Sequence, residues 1–364
     1  MSAQFPPVEV SWFSALCDDD YEFLGVPDGR LRSSYEHCRD IVTGAERGGF
    51  DNILLPSGYQ LGIDSIAFAG GIAPFTSRIR LLVAVRCGEM WPPQLARQLA
   101  TLDRMLGGRL TINIISSDLP GQAMDSKPRY QRCVEVMRIL RTLLDGKSLA
   151  LDGKSLALDG EFYKIDLAPP NVATVSRRCP PMYFGGLSDE ARDAAAQEAD
   201  VYLMWPDTIG NVKMIIDDLT ARAGRRGRKL RFGYRVHVVV RETEAAARAA
   251  ADRLLSRLDA GAGEQIRQRS LDHQSTGVRR QAELRENSGG DGYIEDNLWT
   301  GIGRARSGCG AAIVGDPDQV LRKLNAYRAL GIEAFILSGY THIDECDLFA
   351  RYVLPHLNHA PLKL

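Results

Sequence analysis

The sequence predicts a (β/α)₈ barrel carrying two insertions. Three observations lead there. Short apolar, β-rich runs alternate with helix-period segments along 364 residues. Such alternation builds parallel crossover units. Eight strand runs can be counted, and most are apolar almost throughout, as strands covered on both faces must be. An open doubly wound sheet is the alternative, because alternation does not by itself show closure.

The elements follow in order. Residues 8–13 (VEVSWF) read as the first strand and Ser34–Arg47 as its helix. Asn52–Pro56 and a helix near Ile63–Ala73 form the second unit. IRLLVAVR (79–86) precedes Pro93–Met105, which stops at Gly107-Gly108. Leu110–Ile115 leads into Arg129–Leu144. Pro181–Phe184 precedes Ser188–Glu198, and Val201–Trp205 precedes Ile209–Ala223. Leu230–Val240 is the seventh strand, followed by Glu242–Leu258. A helix at Pro317–Leu330, the eighth strand Ala334–Leu337 and a helix at Asp344–Leu357 close the chain.

One barrel domain is therefore expected over residues 1–364. A surface insertion at 144–166 contains LDGKSLA twice in tandem (144–150 and 151–157), with Asp-Gly turn signals. A second insertion at 259–310 is polar, contains NSGGDG, and is long enough to suggest a mobile lid or disorder.

Composition narrows the function. Hydrophobic residues make up 45% and charged residues 25%, an ordinary globular balance. No apolar run reaches the roughly 18 residues of a membrane span, and no secretory signal is visible, so a soluble cytoplasmic enzyme is expected. A net charge of −1 gives no reason to expect nucleic acid or anionic membrane as partner. The basic run 225–231 (RRGRKLR) reads as a solvated loop. The seven cysteines and six histidines never approach metal-ligand spacing, so no metal site is expected.

In such a barrel the active site lies at the C-terminal ends of the strands. Polar or aromatic residues there are Ser57 and Gln60, Arg86, Asn113, Ser116 and Ser117, Gly185, Gly186 and Ser188, Trp205, Arg235 and His237, and Tyr340 and His342. All strands but the first supply one. Arg235 and His237 stand two apart on one strand and so share a face. The other face, Phe232 to Val240, is apolar and suits packing under helices, which turns Arg235 and His237 into the barrel. A buried guanidinium needs an anion. That anion is either a ligand or a structural carboxylate. YFGGLSDE (183–190) is strand, glycine turn and helix start, where free N–H groups suit a phosphate. Ordinary capping by Ser188 explains the same pattern.

These stretches resemble the alkanesulfonate monooxygenases of the bacterial luciferase-like flavin family. The matching segments are LLPSG (54–58), ARQLATLDRMLGGR (96–109), NIISSD (113–118), PPMYFGGLSDEA (180–191), VYLMW (201–205), RKLRFGYRVHVVVRET (228–243), NLWTGIGRARSGCGAAIVGDP (297–317) and LGIEAFILSGYTH (330–342). The resemblance implies a two-component enzyme that takes reduced FMN from an NAD(P)H-dependent reductase. With O2 it would convert an alkanesulfonate or related organosulfur compound to an aldehyde and sulfite. It also implies a homo-oligomer, dimer or tetramer.

Carried over by position, Asn113 would touch the flavin ring, and Tyr130, Gly186, Leu187 and Ser188 would hold the FMN phosphate. Arg235, His237 and Tyr340 match catalytic positions, and Arg306 matches an arginine of the lid. Trp205 would wall the substrate pocket, with Ser57 beside it. A permanent cation at Arg235 suits a sulfonate in a water-excluding site. Two loops depart from the family. SALCDDDYEFLG (14–25) replaces a histidine, and GYQLGID (58–64) lacks a cysteine. Both lie at the substrate end, where Asp18, Asp19 and Asp20 would repel an anion unless they face solvent. The alternatives are the same oxygenase chemistry on a sulfone or an amine, or a deazaflavin-dependent reductase on the same barrel.

Overall fold

The computed structural model describes residues 5–58, 62–145, 156–167, 171–268 and 275–364. Eight parallel strands close on themselves: β1 (Glu9–Phe13), β2 (Asn52–Leu55), β3 (Arg80–Arg86), β4 (Leu110–Ile115), β7 (Met182–Phe184), β8 (Val201–Met204), β9 (Arg231–Val240) and β13 (Ile332–Ser338). Closure comes from β9, which pairs with β8 on one edge and β13 on the other. The open sheet is thereby excluded. Between β4 and β7 a two-stranded hairpin, β5 (Leu156–Asp159) and β6 (Lys164–Leu167), forms a sheet of its own and packs Ile165 against the main core. Most of the LDGKSLA repeat lies outside the described residues.

Around the barrel run α1 (Tyr35–Gly48), α2 (Ser65–Ile72), α3 (Pro92–Met105), α4 (Ser126–Leu144), α5 (Asp189–Glu198), α6 (Ile209–Gly224), α7 (Glu244–Leu255), α10 (Pro317–Ala329) and α11 (His342–Tyr352). Local chemistry marks their starts. Ser34, Asp64, Ser188 and Thr208 each accept from a backbone N–H of the first turn, and Asp316 and Gln319 form a reciprocal capping box.

Strand alternation sorts the side chains. Ile53, Leu81, Val83, Ile112, Met182, Tyr202, Val236 and Phe335 point outward into the layer between strands and helices. The other set stacks inside the barrel in layers. The floor is polar: Tyr183 Oη donates to Glu9 at 2.6 Å, joined by Asn52 and by the Leu362 amide. Above it lies an apolar middle of Phe13, Leu54, Leu82, Val201, Ala334 and Ile336. The mouth is polar again, with Arg86, Asn113, Arg235, His237 and Ser338 on the inward parity of their strands.

The stretch after α7 is largely regular. It holds α8 (Ala260–Gln268), α9 (Thr276–Glu286), β10 (Tyr293–Glu295), β11 (Leu298–Trp299) and β12 (Ala312–Gly315). Sequence reading gave no strand at 312–315, because four residues after a glycine-rich turn carry little periodicity. β9 is ten residues long, and β8 covers only its first half. β12 pairs in parallel with the second half, Ala312 opposite His237. The insertion is thereby tied to the rim of the mouth, next to His237. Among the described residues, no helix is long and apolar enough to cross a membrane.

Candidate active site

Phe13 forms the base of the chamber at the barrel mouth. The Arg235 guanidinium lies 4.4 Å from its ring centroid and that of Arg306 lies 5.4 Å away, so both cations belong to one chamber. Arg235 donates to Ser338 Oγ at 2.7 Å and to the carbonyls of Val236 and Ile336. No carboxylate lies within ion-pair distance of it among the described residues. Of the two explanations for this arginine, the structural carboxylate is therefore absent, and the cation is left with neutral partners. Burial opposes its charge, yet a guanidinium keeps its proton.

His237 Nδ1 lies 2.8 Å from the same Ser338 oxygen. Because Arg235 can only donate, Ser338 accepts from it and has its own hydrogen free for His237 Nδ1. With the serine hydrogen turned to Nδ1, the imidazole proton of the neutral ring sits on Nε2; the serine oxygen, with two lone pairs, equally accepts from an Nδ1–H. Burial, then the nearby Arg235 and Arg306, push the His237 pKa well below its ordinary value, so the ring is neutral.

His342 is set the opposite way. Its Nδ1 is 3.0 Å from the Phe13 carbonyl, which can only accept, so Nδ1 carries the proton and Nε2 a free lone pair. Burial lowers its pKa too. Tyr340 stacks on His237 at 5.2 Å and meets His342 edge-on at 5.5 Å. Its hydroxyl accepts from Arg306 at 2.8 Å and keeps its own hydrogen. Arg306 also pairs with Asp19 at 2.5 Å.

Buried polar atoms without a hydrogen-bond partner mark where a ligand belongs. They include His237 Nε2, His342 Nε2, Asp19 Oδ1, Arg306 Nε, Arg86 Nη1, Ser117 Oγ and Ser307 Oγ. Most stand on or just after the C-terminal ends of barrel strands, or on the segment 306–307 that reaches over them.

The predicted residues divide into groups. Arg235, His237, Tyr340 and Arg306 meet in one cluster. Trp205, 36% exposed, stands at the end of β8, where Gly277 and Gly308 press on its ring: a Cβ on either would lie about 3 Å from it. Ser57 is partly buried after β2, and its carbonyl accepts from Arg86. Gln60 lies outside the described residues. Asn113 is partly buried on β4.

Tyr130, Gly186, Leu187 and Ser188 gather at the start of α5. A Cβ on Gly186 would lie 2.6 Å from the Ala191 Cβ and 3.1 Å from Tyr130 Oη. Ser188 caps the helix, as its capping reading expects. The two acids there are engaged: Asp189 pairs with Arg222, and Glu190 bonds Ser126. A glycine turn that only a bare backbone fits, opening a helix N-terminus beside a tyrosine hydroxyl, suits a flavin phosphate. Among the described residues, no group of three or more metal-binding side chains occurs.

Sequence reasoning missed the contribution of the first strand. None of the three aspartates in loop 14–25 faces solvent freely. Asp18 accepts from the Ser33 amide, and Asp20 is buried against His37, the His342 amide and the Tyr21 amide. Asp19 reaches the chamber. The loop also leans on the second departing loop, since a Cβ on Gly62 would lie 1.6 Å from the Leu16 carbonyl oxygen. Ser338 was missed as well; its signal was its parity with Ala334 and Ile336 on an inward face.

The luciferase-like monooxygenase family model matches residues 23–334. The chain belongs to this family. A protein of Novosphingobium aromaticivorans named sulfoquinovose monooxygenase is 64% identical over 363 residues, 98% of each chain. One of the same name from Agrobacterium fabrum is 51% identical over 361 residues, 99% of this chain and 92% of that one. The solved structure of EDTA monooxygenase from Chelativorans sp. BNC1 has the same fold, with a TM-score of 0.77 over 96% of this chain and 93% of that one, at 18% identity. The protein is accordingly a flavin-dependent monooxygenase of the two-component kind, using reduced FMN and requiring a partner flavin reductase. The reductase alternative on the same barrel is set aside by these relatives.

Proposed function

We propose that the protein oxidatively desulfonates a small organosulfonate, with sulfoquinovose, the substrate named for both sequence relatives, as the leading candidate. Sulfoquinovose is a hexose bearing a sulfonate on its sixth carbon. The observation that carries the reading is Arg235: a buried, permanent cation without a carboxylate, placed beside the imidazoles of His237 and His342, both kept neutral by burial.

When bound, the reduced flavin supplies the electrons that activate O2. The chain's own residues do the rest. Tyr130, Gly186, Leu187 and Ser188 hold the phosphate, and Asn113 meets the ring system from β4. Arg235 binds the sulfonate, and His237 Nε2–H donates to the same group. His342 Nε2, buried and unprotonated, takes a proton from the carbon that carries sulfur. Tyr340 Oη, with its oxygen turned to Arg306, keeps a hydrogen to give. Trp205 and Ser57 line the substrate side, and Arg306 on the segment 259–310 closes the chamber against water. One oxygen atom of O2 ends in the aldehyde and the other in water, as the carbon–sulfur bond breaks to release sulfite.

The FMN reductase partner is NAD(P)H-dependent on this reading, and the enzyme is a cytoplasmic homo-oligomer. Sulfite release from a panel of sulfonates, with a generic reductase, NAD(P)H, FMN and air, tests it. Release that drops about 10²–10³-fold in Arg235→Ala supports it. Tight binding of reduced FMN with no sulfite from any sulfonate overturns it and points to a sulfone or an amine.

A further inference from the structure

We propose that Asp19 selects a hydroxylated sulfonate over a plain alkanesulfonate, its free Oδ1 accepting hydrogen bonds from substrate hydroxyl groups while the sulfonate sits on Arg235. This rests on the desulfonation reading above and names what recognises the rest of the substrate.

The argument begins with three consecutive aspartates at the mouth of a site for an anion. Two hold the loop in place. Asp18, held at a positive φ of 50°, exchanges hydrogen bonds with Ser33 through its backbone N–H and its carboxylate. Asp20 ties the loop to α1 through His37 and to the start of α11 through the His342 amide. These anchors fix the backbone on both sides of Asp19 and aim it inward. Asp19 spends one oxygen: Oδ2 pairs with Arg306 at 2.5 Å. Its Oδ1 is buried with no partner.

A carboxylate that served only to neutralise Arg306 would not need its second oxygen sealed from water in the chamber. A buried, unsatisfied carboxylate oxygen is costly and calls for a donor. The charge pattern says which donor. Asp19 and Arg306 cancel each other, which leaves Arg235 as the uncompensated cation of the cluster and the place for the sulfonate. The Asp19 end of the chamber then carries no spare cation for a second anion and presents only the acceptor Oδ1. It accepts neutral donors, and hydroxyl groups are the neutral donors of a carbohydrate. An alkyl chain offers none and leaves Oδ1 desolvated and unpaired, the situation in which a polar site discriminates most strongly.

The test compares kcat/KM for sulfite release from sulfoquinovose and from hexanesulfonate, which has six carbons and no hydroxyls. Wild-type protein, Asp19→Ala and Asp19→Asn are each run with the reductase system. The expected result is a wild-type preference for the sulfonated sugar. The ratio of the two kcat/KM values should fall about 10²-fold in Asp19→Ala. It should fall less in Asp19→Asn, whose amide oxygen still accepts. Calorimetric binding of sulfoquinovose should weaken in parallel in either variant. Asp19→Asn conserves size, so it keeps the test alive if the alanine variant does not fold.

Equal losses on both substrates would mean that Asp19 only positions Arg306, and would overturn the proposal alone. So would a wild-type enzyme that prefers hexanesulfonate. No sulfite from either substrate in wild type would overturn the desulfonation reading, and the selection argument with it.

Discussion

Ser338 Oγ lies 2.8 Å from His237 Nδ1 at the barrel mouth, and the same oxygen takes the Arg235 guanidinium at 2.7 Å. One hydroxyl therefore orients both groups that the proposed function sets against the sulfonate. Ser338→Ala leaves a buried guanidinium N–H and an imidazole nitrogen without partners, at a cost of about 1–3 kcal/mol. Chemical denaturation should register that loss. The ratio kcat/KM should fall at least about 10-fold, because His237 loses the bond that orients its ring. Unchanged stability and turnover would show that Arg235 and His237 are held by something else.

The two neutral histidines make stability depend on pH in a definite direction. Burial lowers the pKa of both His237 and His342 below 6.5 in the folded state. Between those lowered values and 6.5 the unfolded chain binds more protons. Their contribution is fully present above 6.5 and is lost as pH falls below it, by about 1.4 kcal/mol per pH unit for each ring. His359 works the other way: Asp51, 3.0 Å away, raises its pKa, so its contribution is lost as pH rises through the folded value. Unfolding midpoints from pH 7.5 to 5 should fall, and His237→Asn should flatten the slope. An unchanged slope in that variant would place the titration elsewhere.

How much of this was legible in the sequence depends on the physics of each part. The barrel was legible because Leu81, Val83 and Val85 or Val236, Val238 and Val240 repeat over enough residues to fix both element and face. Arg235 and His237 followed from parity on one strand. β12 was not legible, since four residues carry almost no period and each pairs with a residue 75 positions away in β9. Asp19 was not legible either. Nothing in SALCDDDYEFLG says which aspartate turns inward; that is decided by Ser33, His37 and the His342 amide, which the fold brings to Asp18 and Asp20 from distant elements.

The glycine turn before α5 gives a test of the proposed flavin end that leaves the proposed sulfonate end alone. Gly186 has φ +149°, and an added Cβ would collide with Ala191 and crowd Tyr130 Oη. Gly186→Ala should raise the dissociation constant for reduced FMN by about 10-fold or more, equivalent to roughly 1.4 kcal/mol. Anaerobic fluorescence titration reads this directly. Retained affinity would place the phosphate away from this turn.

Gly62 tests whether the two loops that depart from the family act as one piece. It has φ +78°, and a Cβ there would sit 1.6 Å from the Leu16 carbonyl oxygen, to which the Ile63 amide also donates at 3.0 Å. An alanine cannot be accommodated by a rotamer change, because the obstacle is backbone. The left-handed conformation alone costs about 1–2 kcal/mol for a residue with a Cβ. Moving the Leu16 carbonyl also shifts the segment that leads to Asp19, which aims the carboxylate at Arg306. Gly62→Ala should therefore lower stability by at least that amount and reduce kcat/KM for sulfite release. Reduced-FMN binding at the α5 turn should hold. Denaturant unfolding, sulfite assay and flavin titration on one preparation separate the three effects. Loss of flavin binding in step with turnover would mean that the substitution disturbs the whole barrel mouth rather than this pair of loops.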